Sequence, residues 1–170
     1  MRKLTIIAAA AALITTTANG FVALPSTASK KNTVYVTIQR VKAVSNLDLD
    51  FFKADRADFY ADVIIDGWRT RTSTIFGQDQ IRPYWKFSQT TSNNLVNFTI
   101  RVFDNDGGLE GTDDFCDINP YKGARELALV YNVATGRITG AVTGRRGEPI
   151  MATGKGDGRT AQITFVVNHG

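Results

Sequence analysis

The strongest constraint on the fold is a short pattern that recurs along the chain. Apolar residues fall at every second position, and each run is broken by turn-forming residues before a helical period can develop. Residues 97–103 read NFTIRVF, with Phe98, Ile100 and Val102 on one side. That alternation matches the two-residue repeat of a strand buried on one face, whereas an amphipathic helix needs spacings of three and four. The same pattern, rich in β-branched residues, runs through 33–44 (TVYVTIQRVKAV), 59–65 (FYADVII), 68–74 (WRTRTST) and 161–167 (AQITFVV). Residues 126–131, 137–142 and 81–87 complete the set, the last containing Pro83, which suits an edge or a strand start. Asp66-Gly67 is a tight-turn pair and joins its flanking segments as a hairpin. No segment sustains helical periodicity, and 143–158 reads as a Gly-rich, basic loop. The sum predicts an all-β fold: an antiparallel β-sandwich of about eight strands with Greek-key connections.

Residues 1–28 stand apart from this pattern. Arg2 and Lys3 precede the apolar run 4–14 (LTIIAAAAALI), and small residues follow, with candidate cleavage points after Ala18, Gly20 and Ala28. This is the layout of a secretory signal peptide, and the run is too short and too Thr-rich to span a membrane comfortably. The expected mature protein is therefore a single domain, 29–170, with no later membrane span. At 43% hydrophobic residues it has material for a core. The lone cysteine, Cys116, permits no internal disulfide and is read as a small buried hydrophobe. Export without disulfides points to a bacterial cell-envelope protein, secreted or periplasmic.

Charge is sharply segregated. Residues 104–117 carry six acids and no base, whereas the chain from Lys122 onward carries seven bases and three acids. The formal net charge of +4 falls by two once Arg2 and Lys3 leave. The bases form no stripe interleaved with aromatics, which argues against a nucleic-acid partner. Arg145, Arg146, Lys155 and Arg159 are read as solvated loop surface. The acids gather in two loops, each between strands: one holds Asp48, Asp50, Asp55 and Asp58, and the other reads DNDGGLEGTDDFCD from Asp104 to Asp117. Closely spaced carboxylates repel unless they are solvated, protonated or bridged by a cation. Calcium takes six to eight oxygens, and the glycines let backbone carbonyls join the side chains. Softer metals lack ligands, because the only histidine is His169 near the end of the chain. An EF-hand is excluded: counting from Asp104, positions five, six and twelve are Gly108, Leu109 and Phe115.

Three segments, in order, carry a family resemblance. Asp58-Phe59-Tyr60-Ala61 stands where a D-P-Y-V-like element is expected, Pro83-Tyr84-Trp85 matches a P-x-W element, and Val102-Phe103-Asp104-Asn105-Asp106 followed by Asp113-Asp114-Phe115 matches V-x-D-x-D and D-D-F. Over about 34–131 the chain resembles the C-2 domain, the calcium-dependent phospholipid-binding β-sandwich of protein kinase C and the synaptotagmins. The resemblance implies calcium ligands at Asp58, Asp104, Asp106 and Asp114. The remaining first-loop ligand falls by position on Phe52, so Asp50 is the nearest upstream acid, with Asp48 in reserve. Asp113 is a further candidate. The proline of D-P-Y-V is replaced by Phe59, and the acidic third loop is longer than the family's by about two residues. Apolar tips at Phe51, Phe52 and Leu109 either contact a membrane or partner or fold back onto the sandwich.

No G-x-S-x-G, H-E-x-x-H or Ser/His or Cys/His set is present, so no enzyme is expected. The expected function is a secreted, non-catalytic calcium-binding module that presents its loops to an anionic phospholipid or polysaccharide. The alternative is a calcium-independent adhesive or structural sandwich that recognises a protein or glycan.

Overall fold

A computed structural model of the chain describes residues 30–45, 56–106, 113–156 and 158–170. The segment 1–28 read as a signal peptide, and Asp48, Asp50, Phe51, Phe52 and Leu109, lie outside the described residues. Twelve strands and no helix occur among the described residues: β1 (Asn32–Ala43), β2 (Phe59–Ile65), β3 (Trp68–Arg71), β4 (Gln80–Ile81), β5 (Trp85–Thr91), β6 (Leu95–Asp104), β7 (Asp114–Cys116), β8 (Leu127–Asn132), β9 (Arg137–Gly140), β10 (Gly144–Arg145), β11 (Ile150–Thr153) and β12 (Ala161–His169). They form two antiparallel sheets. One has the order β11-β12-β1-β4, with β5 also paired to β1; the other has the order β10-β9-β8-β6-β2-β3, with β7 paired to β6.

Alternation builds the core directly. Phe98, Ile100 and Val102 of β6, Val63 and Ile65 of β2, and Leu127, Leu129 and Tyr131 of β8 face Val34, Val36 and Ile38 of β1 and Ile163, Phe165 and Val167 of β12. Phe98 and Phe165 meet edge to face across the two layers, 6.5 Å between ring centroids. Burying each such side chain contributes about 1.5–3 kcal/mol. In β1 the register shifts between Ile38 and Arg40, and this irregularity returns Val41 to the core although it lies three residues after Ile38, an odd spacing that strict alternation would turn outward. At the β2–β3 hairpin, Asp66 and Gly67 have φ of 51° and 86°, the pair of left-handed residues a two-residue turn requires.

The expected sandwich is present, with differences in detail. Residues 81–87 are not one strand: Tyr84 takes φ 49°, which separates β4 from β5. The loop read over 143–158 contains β10 and β11, whose short apolar segment Ile150–Thr153 pairs with β12. The four additional strands are all short, which is why their patterning is weak in the sequence.

The two layers are joined at both ends. At one end lie the close of β1, the start of β2, the close of β6, β7 and the β11–β12 connection, and a parallel bridge links Asp117 to Thr160. At the other, the hydroxyl of Tyr131 on β8 lies 2.5 Å from Nδ1 of His169 on β12.

Candidate functional site

Strand register brings three of the expected ligands to one end of the sandwich. Phe59 pairs with Asp104, and Asp104 pairs with Asp114, so Asp58, Asp104 and Asp114 stand at the ends of three neighbouring strand paths. Asp104 continues the inward row of Phe98, Ile100 and Val102 and is 2% exposed; a carboxylate occupies what the alternation makes a core position. The backbone N–H of Asp58 donates to Asp104 Oδ1 at 2.6 Å, and the backbone N–H of Asn105 donates back to the Asp58 carbonyl at 3.0 Å. Gly77 N–H donates to Asp58 Oδ1 at 2.5 Å. Each carboxylate is thus aimed by a backbone donor on one oxygen, and a carboxylate has several further acceptor positions. Asp106 lies half-buried just past β6.

Asp114, opposite Asp104, is 8% exposed, and its Oδ2 is ion-paired with Arg159 Nε at 2.5 Å. Asp113 alternates to the outer face, where it accepts the Tyr60 hydroxyl at 2.6 Å. Burial and that hydrogen bond raise the Tyr60 phenol well above its ordinary range. Tyr60 begins a ladder of rings across the outer face: Tyr60 on Phe103 at 4.9 Å and Phe103 on Phe115 at 5.0 Å, with the Arg71 guanidinium 4.6 Å over Tyr60. Cys116 is fully buried on the inner face, as read. Burial first, then the nearby carboxylates of Asp104 and Asp114, push its thiol upward.

The donor chemistry at this end is oxygen-based. His169 is at the far end, and a thiol disfavoured from ionising is a poor ligand, so the residues suit a hard cation such as calcium rather than zinc or copper. Among the described residues no three acidic, histidine or cysteine side chains come together as a group able to hold an ion. Asp58 and Asp104 are the pair linked directly, through the Asp58 N–H and Asp104 Oδ1, and the first-loop candidates Asp48 and Asp50 lie outside the described residues.

Four residues at or beside this region escaped the sequence reading. Arg159 is planted against Asp114 instead of standing as solvated surface. Phe76, next to the Gly77 that holds Asp58, is 66% exposed. Asp117 is a structural tie: its Oδ1 accepts Asn119 N–H at 2.8 Å and its Oδ2 accepts Gly156 N–H at 2.5 Å. Asp62 is fully buried under Arg69 and Arg71 of the facing strand. Only the last had a signal, since Arg69 and Arg71 share one face of a strand that the Asp66-Gly67 turn folds against Asp62.

Comparison with solved structures places the fold. A structure of a C-2 domain superposes with a TM-score of 0.51 at 14% identity, covering 81% of this chain and 98% of its own. A C-2 domain protein from Ramazzottius varieornatus gives 0.50 at 12% identity, covering 82% and 89%. Human GIVD cytosolic phospholipase A2 gives 0.50 at 14% identity, covering 84% of this chain. This chain spans only 17% of that enzyme's length. No family model matches the sequence, and no curated protein does. The chain has the C-2 sandwich fold, in a divergent sequence. No helix among the described residues is long and apolar enough to cross a membrane.

Proposed function

We propose that this protein is an exported, non-catalytic module that takes calcium at the Asp58–Asp104 end and presents the surrounding rim to an anionic phospholipid surface. The observation that carries the reading is Asp104: a carboxylate at a core position, aimed by the N–H of Asp58 beside a second aimed carboxylate. Carboxylates brought to one end of the sandwich repel, and a bound cation offsets that repulsion. Asp58 and Asp104 would hold the ion, with Asp106, Asp114 and the first-loop acids Asp50 and Asp48 completing an oxygen shell; calcium supplies positive charge that offsets their repulsion and attracts lipid phosphate. The exposed aromatic Phe76 and the exposed Val44, both at this end, add apolar contact at the rim. The signal-peptide layout of 1–28 supports export, and a site of modest affinity suffices where calcium is abundant.

Thermal unfolding in calcium, in magnesium and in chelator tests this. An ion that binds only the folded state raises the melting temperature as its concentration passes its dissociation constant. A calcium-selective rise, lost in Asp104→Asn, is expected. The absence of any shift at millimolar calcium overturns the reading and leaves the calcium-independent adhesive module in its place. Sedimentation with phosphatidylserine vesicles, calcium-dependent and weakened in Phe76→Ser, tests the lipid step.

A further inference from the structure

We propose that Arg159 is a built-in counter-ion that competes with calcium for Asp114, holding one of the expected ligands until the ion displaces it. The inference rests on the calcium reading above and sharpens it, because it assigns a gate to that same site.

The geometry is that of a substitute cation. Asp104 and Asp114 are directly opposed residues of adjacent antiparallel strands, with their side chains on the same inner face and little exposure. Like charges so placed repel. The Arg159 guanidinium enters from a different hairpin, the β11–β12 connection, with Nε 2.5 Å from Asp114 Oδ2. Arg159 has φ 46°, a left-handed conformation that a residue with a side chain adopts only at a cost and that persists where surrounding contacts enforce it.

Those contacts hold the backbone of Arg159 in place independently of its side chain. Asp117 N–H donates to the Arg159 carbonyl at 2.8 Å. The next residue, Thr160, accepts from Val44 N–H at 2.8 Å and donates its own N–H to Ser45 Oγ at 2.7 Å, at the mouth of the first acidic loop. Arg159 meets Asp114 through Nε as a single close charge contact and without the parallel two-bond fork that adds geometric specificity to arginine–carboxylate pairs. The Arg159 side chain keeps 35% of its surface exposed, which gives it a route to water. A doubly charged hard ion that accepts several oxygens can therefore take Asp114 from a singly charged group. The cost of releasing arginine lowers the apparent affinity, as any occupied or non-competent state does.

Calorimetric calcium titration of the wild type, Arg159→Gln, Arg159→Lys and the double variant Asp114→Asn/Arg159→Gln decides the point, with a melting curve recorded for each. Arg159→Gln is expected to bind calcium about tenfold tighter, within the usual range for a coupling between sites. It should also melt lower than wild type in chelator, with the gap closing in millimolar calcium. The double variant, which removes both the gate and the ligand, should lose that gain. Arg159→Lys, which keeps the charge and loses Nε, should show a smaller gain in the same direction and serves if the glutamine variant unfolds. Unchanged or weaker affinity in folded Arg159→Gln or Arg159→Lys overturns the gate while the calcium site stands. Binding by Arg159→Gln alone upholds the gate and overturns calcium loading of the wild type. Failure of every form to bind overturns both.

Discussion

Replacing Asp117 by alanine removes the tie that holds the β11–β12 connection against β7. In the wild type, one carboxylate oxygen accepts Asn119 N–H at 2.8 Å and the other accepts Gly156 N–H at 2.5 Å, at a residue only 2% exposed. Alanine leaves both donors unpaired. Each buried unpaired donor costs about 1–3 kcal/mol, and Gly156 is partly accessible to water, so the total comes to about 3 kcal/mol. For a domain of this size that corresponds to a fall of about 10 °C in melting temperature. Scanning calorimetry in chelator and in millimolar calcium is the assay. Because both Asp117 carboxylate oxygens already accept backbone N–H groups, the loss should be the same in both buffers. A melting temperature within about 2 °C of wild type refutes the hydrogen-bond account, and a loss confined to calcium buffer would mean that Asp117 is a ligand. Gly154→Ala probes the same tie from the other side. A Cβ there meets the Asp117 carbonyl oxygen at 2.1 Å, a backbone overlap that cannot be relieved by a rotamer change. The two substitutions should combine for less than their sum, since they break one contact.

Three further outcomes follow from the same structure. Ile100→Ala, at a fully buried central-strand position, should cost about 2–5 kcal/mol in chemical denaturation, whereas Thr99→Ala on the outer face should stay within about 0.5 kcal/mol. His169 has its pKa lowered from 6.5, first by burial and then by the charges of Arg146 and Lys30. Its folded value lies below its unfolded one, so its contribution is complete above about pH 6.5 and is lost as pH falls through the folded value. Melting temperature should therefore decline below pH 6.5, and His169→Gln should flatten that limb. Asp62 is subject to burial, which favours the neutral acid, but hydrogen bonds from Arg71 and Arg69 outweigh it and hold the carboxyl below 3.8. That contribution is present above about pH 3.8 and disappears as pH falls through the folded value, so Asp62→Asn should flatten acid unfolding below pH 4.

The sandwich was legible because alternation is local. Phe98, Ile100 and Val102 declare a buried face within seven residues, and β1, β2 and β12 do the same. The short strands β4, β7, β10 and β11 were not legible, since two to four residues carry too little periodicity to register. Tyr84 shows the other limit: the break between β4 and β5 is a backbone conformation that no spacing of apolar residues encodes.

The acidic loops, the hard-donor chemistry and the burial of Cys116 could be read from residue types and spacing alone. Which acids meet could not. Asp104 and Asp114 face each other because the β6–β7 register opposes them, and Asp113 turns outward to Tyr60 because it is one residue out of phase. Arg159 looked like one more base in a solvated loop, yet it reaches Asp114 through a hairpin of the other sheet that the Asp117–Thr160 bridge binds to β7. The sequence by itself determined the strands, the sandwich and the supply of carboxylates, since each depends on neighbours a few positions away. Only the tertiary structure decided which carboxylates converge, which are tied to backbone and which already has a cation, because those pairings depend on register and on contact between sheets.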